Sequence, residues 1–179
     1  MRNNMKKNIF LFTIFLITSF MLLQSCGGNA DNLSVGNPAP DFKLPDSDGN
    51  NFSLSSYKDK NPVVIYFYPK ANTPGCTKQA CGIRDSFSRF RENNIVVLGI
   101  SVDSKESIKE FINDHNLNFP LLSDEKKEVS KAFGVLNNIG VDSRITFIID
   151  KQGNIASILR DVDVETHADE VFNIAVALK

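Results

Sequence analysis

The amino-acid sequence predicts an α/β fold in which helices flank a mixed central β-sheet. Three apolar runs, Val63–Tyr68, Ile95–Ser101 and Arg144–Asp150, have the continuous hydrophobicity of strands that are buried on both faces. Two segments between them, Cys76–Asn93 and Ser104–His115, carry apolar residues at helical spacing. Strands that alternate with helices in a chain that closes with a hairpin and a helix favour an α/β sandwich.

The remaining predicted elements are shorter. In chain order they are a hairpin across residues 42–54, a strand at Phe119–Leu122, a helix at Glu125–Phe133, a strand at Ile155–Leu159 and a final helix from Val164 to Leu178. The hairpin turn, Asp46-Ser47-Asp48-Gly49-Asn50, also resembles a calcium-binding loop. However, its glycine stands at the fourth position and no Glu follows at the twelfth, so we interpret it as a turn.

Length and composition predict one soluble globular domain. The 179 residues are 42% hydrophobic and 23% charged, which is ordinary for such a domain. The formal net charge is −1, but the first 25 residues contain three basic residues and no acid. Without them the chain has 17 Lys and Arg against 21 Asp and Glu. No basic stripe remains, so we expect no nucleic-acid partner.

The N-terminus has the pattern of a secretory signal peptide. Basic residues at positions 2, 6 and 7 precede the apolar run Ile9–Leu23, which is shorter than the ~20 residues of a membrane-spanning helix. The run leads into Leu23-Gln24-Ser25-Cys26. This resembles a bacterial lipobox, in which the cysteine is lipidated and becomes the first residue.

The lipobox interpretation divides the chain into three parts. Residues 1–25 are the expected signal peptide, residues 26–37 the lipidated Cys26 with a flexible tether, and residues 38–179 the folded domain. The alternative is an uncleaved N-terminal anchor in which Cys26 has no role. Both interpretations predict an extracytoplasmic protein held at a bacterial membrane, facing the periplasm or the cell surface.

Cys76 occupies a position that favours a reactive thiolate. Pro74 and Gly75 end the first buried strand, and Cys76 then falls in the first turn of the following helix. Free backbone N–H groups and the helix dipole stabilise an anion there, and the thiolate is the nucleophilic form of cysteine. The alternative is an inert buried cysteine, but a helix end bounded by Pro and Gly is an unusual place for one.

Cys81 follows five positions later on the same predicted helix. In an ideal helix the two Cα atoms lie about 8.6 Å apart, whereas a disulfide requires less than about 7 Å. The two cysteines therefore cannot bridge while the helix is intact. This spacing is unsuited to a structural disulfide but compatible with one that forms and breaks as the helix unwinds.

The segment around Cys76 is similar to a known active site. Pro69-x3-Thr73-x2-Cys76 matches the peroxiredoxin signature, and the stretch YFYPKANTPGCTKQAC resembles the Q-type, or bacterioferritin comigratory protein, subfamily. The similarity continues at residues 83–85, 98–103, 119–124 and 144–150, and covers nearly everything from Gly36 onwards. The resemblance implies a thioredoxin-like fold, in agreement with the predicted alternation of strands and helices.

The resemblance also implies a role for each motif residue. Cys76 would be the peroxidatic thiolate that becomes a sulfenic acid, and Cys81 the resolving thiol that converts it to a disulfide. Thr73 would accept a hydrogen bond from the bound peroxide, and Pro69 would shield the site from water. Arg144 would hold positive charge near the sulfur. Gln79, where many relatives carry Glu, would orient Arg144.

Other polar residues have plainer interpretations. Thr73 could be only a turn residue, and Arg144 only a charge at the end of a strand. We expect Arg84 to form a salt bridge on the helix face. His115 and His167 lack the spacing of metal ligands, so each is expected to be a surface or capping residue. We expect no metal and no cofactor.

Three functions follow from these patterns. The first is a monomeric peroxidase that reduces hydrogen peroxide and organic hydroperoxides and is recycled by a thioredoxin-like dithiol reductant. The second is a membrane-tethered thiol–disulfide oxidoreductase, which predicts Cys-x-x-Cys rather than the observed Cys-x4-Cys. The third is a non-catalytic surface lipoprotein, which predicts loss of Thr73, Cys76 or Arg144. A peroxide-sensing role is compatible with the first.

Overall fold

A computed structural model of the chain describes residues 33–178. The predicted signal peptide, Cys26 and residues 27–32 of the predicted tether lie outside the described residues. The strands are β1 (Lys43–Pro45), β2 (Asn51–Ser53), β3 (Val63–Phe67), β4 (Val96–Ser101), β5 (Leu121–Ser123), β6 (Ile145–Ile149) and β7 (Ile155–Leu159). The helices are α1 (Pro74–Glu92), α2 (Lys105–His115), α3 (Glu128–Ala132) and α4 (His167–Val176), with a 3-10 turn at Leu54–Tyr57.

Five strands form a mixed sheet in the order β5-β4-β3-β6-β7. β3 pairs in parallel with β4, and β4 with β5, whereas β6 runs antiparallel to both β3 and β7. Every residue of β3 and β6 is buried, as their uninterrupted apolar sequences require. The predicted mixed sheet with flanking helices is therefore confirmed.

Each face of the sheet is covered by a separate apolar cluster. On one face, α1, α2 and α4 pack against alternate strand residues, including Val64, Tyr66 and Ile148. On the other face, the β1–β2 hairpin and α3 cover Ile65, Phe67 and their neighbours. Because strand side chains alternate between faces, one short strand contributes to both cores. The central strand β3 is thereby packed on both sides, so the loop that follows it starts from a fixed position.

The hairpin turn is held by its own aspartate. The Asp46 carboxylate accepts hydrogen bonds from the backbone N–H groups of Asp48 and Asn50, both at 2.9 Å. Gly49 has a φ of +86°, a conformation in which glycine is favoured. The predicted turn is confirmed.

Two helices start later than the sequence pattern indicates. α3 begins at Glu128 rather than Glu125, because the Asp124 carboxylate accepts from the backbone N–H groups of Glu128 and Ser130 and closes a turn first. α4 begins at His167 rather than Val164, because a turn capped by Asp163, which accepts from Glu165 N at 2.9 Å, precedes it. In both places an aspartate takes backbone donors that a longer helix would use.

The last residues of the predicted tether contact the domain. Gly36 N donates to Ile155 O, and Ile155 N donates to Asn37 O, each at 2.8 Å. Pro38 then forms a bridge with Asn154. The chain is therefore bound to the start of β7 from Gly36 onwards, slightly earlier than the domain start predicted at residue 38. None of the helices in residues 33–178 is long and apolar enough to cross a membrane.

Gly99 provides a test of the packing on the helical face. It lies opposite Tyr66 in the β3–β4 pair, and a Cβ at residue 99 would stand 2.7 Å from the Tyr66 ring and also press on Leu121. We expect Gly99→Ala to lower the free energy of unfolding by about 1–3 kcal/mol, the usual cost of overpacking. Equilibrium urea denaturation measures this change.

The matched control for Gly99→Ala is Gly82→Ala on α1. A Cβ at Gly82 would lie 3.9 Å from the Ala168 methyl group, an ordinary contact. Alanine is a better helix former than glycine, so this variant should gain about 0.5–1 kcal/mol. Equal stabilities for the two variants would contradict the packing described here.

Candidate active site

Cys76 lies in the first turn of α1, as the sequence predicts. The helix begins at Pro74, which fits a first turn because no N–H is needed there, and Thr73 before it is extended, with φ −98° and ψ 149°. The Cys76 side chain is only 2% exposed. A thiolate at this position faces the unpaired N–H groups of the helix N-terminus in surroundings that exclude bulk water.

The loop that joins β3 to α1 is fixed by Asp103. Its carboxylate accepts from the Ala71 backbone N–H at 2.8 Å and from the Ser101 hydroxyl at 2.9 Å. The loop also contains Asn72, whose φ of +56° is left-handed, and the Asn72 side-chain oxygen lies 3.1 Å from Nε2 of His115. β4 and α2 therefore both hold the loop that presents Cys76.

Thr73 and Pro69 lie on this loop without a hydrogen bond to Cys76. The Thr73 hydroxyl donates to Lys70 O at 2.9 Å. A hydroxyl has one proton, so the Thr73 oxygen can only accept from any further partner. Pro69 is half-buried at the start of the loop and offers no backbone donor.

Arg144 is placed beside the sulfur by the register of the sheet. It immediately precedes β6, and the first residue of that strand, Ile145, pairs with Phe67 at the end of β3. Its Nη2 donates to Cys76 Sγ at 3.4 Å, and its Nη1 donates to Gln79 Oε1. The structure thus brings together Cys76, Arg144 and Gln79.

The apolar surroundings of Cys76 include two tyrosines of the β3 segment. Tyr66 and Tyr68 belong to the same buried cluster as Cys76, and each is 1% exposed. Burial is the main cause that raises the pKa of both phenols, so they remain neutral. Neither phenol contributes negative charge near the sulfur.

Cys81 lies on the same unbroken helix as Cys76. Both are free thiols, Cys76 buried and Cys81 half-buried. Since α1 is continuous from residue 74 to residue 92, the two Cα atoms have a helical separation of about 8.6 Å. A bond between the two sulfurs therefore requires unwinding of the turns that contain Thr77–Ala80.

The two histidines differ from each other. His115 is half-buried at the end of α2, and its carbonyl accepts from Arg84 Nη1 at 2.7 Å. Arg84 also forms the predicted salt bridge, at 2.8 Å to Asp85. His167 was predicted to be a surface or capping residue, and this is wrong: it is 0% exposed. It begins α4 with its ring between Gln79 Nε2, at 3.2 Å from Nδ1, and Thr146 Oγ1, at 2.8 Å from Nε2.

Sequence reasoning missed Asp103, Thr146 and His167 as parts of this site. Thr146 had a signal, because it is a polar residue in a buried strand and shares the face of Arg144 two positions earlier. His167 had none, since its partners are 21 and 88 residues away in the sequence. Within residues 33–178, no group of three or more His, Cys, Asp or Glu side chains is arranged to hold a metal ion.

Comparison with known proteins agrees with this geometry. Residues 35–158 match the sequence model of the AhpC/TSA family. The chain is 41% identical over 148 residues to Peroxiredoxin Bcp of Escherichia coli strain K12, a match that covers 79% of this chain and 94% of that protein. It is 43% identical over 150 residues to the chloroplastic Peroxiredoxin Q of Sedum lineare, covering 82% of this chain and 80% of the relative.

Solved structures give the same result. Peroxidoxin BcpB from Mycobacterium tuberculosis superposes with a TM-score of 0.76 at 33% identity, over 83% of this chain and 99% of that one. A cysteine-to-serine mutant of Xylella fastidiosa PrxQ superposes with a TM-score of 0.75 at 32% identity, over 79% and 94% of the two chains. The fold is therefore thioredoxin-like, as in these peroxiredoxins.

A thioredoxin-like sheet that carries a cysteine at a helix N-terminus, in contact with an arginine, defines a thiol-dependent peroxidase. The chain belongs to the AhpC/TSA family and is a peroxiredoxin related to the Bcp and Q proteins.

We expect Arg144→Lys to slow oxidation of Cys76 by hydrogen peroxide about 10²-fold, the usual cost of removing a fixed donor from a developing anion. A lysine offers one charged group and cannot contact Sγ and Gln79 together in the planar geometry of a guanidinium. Stopped-flow measurement of the second-order rate constant tests this. Arg89→Lys, which alters an exposed ion pair between α1 and Asp169 of α4, should leave the rate unchanged.

Proposed function

We propose that Cys76 is the peroxidatic cysteine and that Cys81 resolves it within the same chain. The observation that supports this assignment is the position of Cys76 Sγ at the N-terminus of α1, 3.4 Å from Arg144 Nη2. The helix dipole and the guanidinium both favour the thiolate, and both are in place before a peroxide arrives.

In the first step the Cys76 thiolate attacks one peroxide oxygen. The sulfur–oxygen bond forms as the O–O bond breaks, sulfur is oxidised to the sulfenic acid, and the departing alkoxide or hydroxide takes a proton from the solvent. Arg144 stabilises the negative charge as it moves from sulfur to the leaving oxygen. The Thr73 oxygen accepts a hydrogen bond from the peroxide O–H, since the Thr73 hydroxyl already donates its own proton to Lys70 O. Pro69 limits the entry of water.

In the second step Cys81 attacks the Cys76 sulfenic acid. A disulfide forms and water leaves, which prevents further oxidation of Cys76. α1 must unwind between the two cysteines for their sulfurs to meet. An external dithiol of the thioredoxin-like class then reduces the disulfide and allows the helix to re-form. Both cysteines belong to one chain, so a monomer is sufficient.

We propose both hydrogen peroxide and organic hydroperoxides as substrates. The support for the organic class comes from a relative: the bacterioferritin comigratory protein of Xanthomonas campestris, which superposes with a TM-score of 0.74 at 29% identity, has been studied for alkyl peroxide reduction. The thiol–disulfide oxidoreductase alternative has less support, because its Cys-x-x-Cys spacing permits bridging without unwinding.

We propose, finally, that residues 1–25 are a lipoprotein signal peptide and that Cys26 carries the lipid. The support is the sequence alone: a basic start, a short apolar run, and Leu23-Gln24-Ser25-Cys26. Several acyl chains on one residue would hold the enzyme firmly at the membrane surface. The peroxidase would then act outside the cytoplasm.

The two-cysteine mechanism predicts distinct products for two variants of the chain from residue 27 onwards. One equivalent of hydrogen peroxide should remove two hydrogen atoms from the unsubstituted chain, as intact mass shows. Cys76→Ser should not react, whereas Cys81→Ser should gain oxygen and stop at a sulfenic or higher acid. If Cys81 in the Cys76→Ser variant were oxidised as fast as the unsubstituted chain, Cys81 would be the peroxidatic cysteine and the assignment would be wrong.

Lipidation predicts that the full-length chain, expressed in bacteria, incorporates labelled palmitate and sediments with membranes. Cys26→Ala should abolish the label. The control Gln24→Ala, which keeps the cysteine and places a small residue in the lipobox, should retain it. A Cys26→Ala chain that remains labelled would show that the lipid is attached at another residue.

A further inference from the structure

A buried series of hydrogen bonds continues from Arg144 away from the sulfur. Arg144 Nη1 donates to Gln79 Oε1, Gln79 Nε2 lies 3.2 Å from His167 Nδ1, and His167 Nε2 lies 2.8 Å from Thr146 Oγ1. Gln79 is 1% exposed, and His167 and Thr146 are 0% exposed. The series links α1, α4 and β6, and the proposed function gives no role to its last two members.

The chemistry of the groups fixes the direction of every bond. A guanidinium only donates, so Gln79 must present its oxygen to Arg144 and its NH2 group to His167. Nδ1 of His167 must then carry a lone pair, and the ring proton must be on Nε2, where it donates to Thr146. The ring is neutral, and burial together with the charge of Arg144 lowers the pKa of His167 to about 4.

We propose that His167 is a positioning residue for peroxide reduction, which acts through Gln79 to keep Arg144 directed at Cys76. Of the two side chains that accept from Arg144, Gln79 is the one whose acceptor atom is not itself the reacting atom. A flipped amide would place NH2 against the guanidinium and oxygen against the Nδ1 lone pair. Both buried hydrogen bonds would then be lost, and their polar groups would remain buried without partners. The Nδ1 acceptor of His167 therefore selects the amide orientation that holds Arg144.

The neutrality of this series has a consequence for the sulfur. Among the ion pairs of residues 33–178, none involves Arg144. Gln79 and the neutral ring of His167 fix the guanidinium without offsetting its charge. The positive charge consequently acts on Cys76, where a carboxylate neighbour would oppose it.

The same series ends when the disulfide forms. Gln79 lies between the two cysteines, in the part of α1 that must unwind for them to bridge. Its amide then leaves His167 Nδ1, and the ring loses that partner. The hydrogen bond from Gln79 to His167 thus belongs to the reduced enzyme, and the nitrogen resonances of His167 report on it.

Two substitutions of His167 separate positioning from packing. His167→Asn places an amide oxygen near the position of Nδ1, so it keeps an acceptor for Gln79 and gives up Thr146. His167→Gln reaches the position of Nε2, so it keeps Thr146 and gives up the acceptor.

In the chain from residue 27 onwards, which contains both apolar cores, His167→Gln should slow Cys76 oxidation about tenfold or more, the equivalent of one lost buried hydrogen bond. His167→Asn should stay within about threefold of the unsubstituted rate, since its hydrogen bond to Gln79 is kept.

A double-mutant cycle tests whether His167 acts through Gln79. In a Gln79→Leu background, where the amide is absent, His167→Gln should cause no further loss of rate. Thermal unfolding of each variant measures its loss of stability. Nitrogen NMR of the unsubstituted reduced chain should find the ring proton of His167 on Nε2.

The inference rests on the proposed role of Cys76. A failure of the inference can be distinguished from a failure of that role. If the unsubstituted chain is not oxidised at Cys76, the proposed function itself fails. If it is oxidised, but the Asn and Gln variants lose rate equally or in proportion to lost stability, His167 only packs. A ring protonated on Nδ1 in the reduced unsubstituted chain would also overturn the inference, and this measurement needs no variant to fold.

Discussion

The contact between the Arg144 guanidinium and the Cys76 sulfur depends on one pairing of strands. β6 runs antiparallel to β3 with Ile145 opposite Phe67, so the start of β6 meets the end of β3. The residue before β6 and the loop after β3 therefore meet at the same edge of the sheet. A shift of one residue in that register would turn every side chain of β6 to the opposite face. The two apolar cores that bury both strands prevent such a shift, and in this way sheet packing sets the geometry of the charge beside the thiolate.

The helix whose N-terminus carries Cys76 also keeps it from Cys81, its proposed resolving partner. An intact α1 offers the N-terminal N–H groups that favour a thiolate, yet it separates Cys76 from Cys81 beyond disulfide range. Reaction and resolution consequently need two conformations. The first turn is built to allow this: Thr73, at the N-cap, makes no side-chain cap and donates to Lys70 instead. A missing cap leaves a helix end about 1 kcal/mol less stable. The buried contacts of Gln79 favour the helical state until Cys76 has been oxidised.

The sequence predicts the parts of this site that depend on local pattern. The position of Cys76 follows from Pro74 and Gly75, and continuous apolar runs identify β3 and β6. Arg144 was located through the resemblance of the segment that follows it, because a charge before a strand does not itself indicate a partner 68 residues away. The burial of His167 could not be predicted, since a single histidine at a helix start is equally typical of an exposed cap. Its environment comes from the packing of α4 on α1 and β6, which is a property of the tertiary fold.

The point where the chain enters the fold bears on how an anchored enzyme would face its substrate. Gly36 and Asn37 are hydrogen-bonded to Ile155 at the start of β7. Ile155 pairs with Ile149, and Ile149 pairs with Val63 at the start of β3. Cys76 follows the other end of β3, five strand residues away, which is a distance of about 16 Å along the sheet. A lipid on Cys26, as proposed, would join the fold at the end of the sheet that lacks the active site, and nine residues (27–35) separate Cys26 from Gly36. Nine residues can span up to about 30 Å, which exceeds the length of β3, so such an anchor would leave the active-site end of the sheet free to meet peroxides in solution and a dithiol reductant.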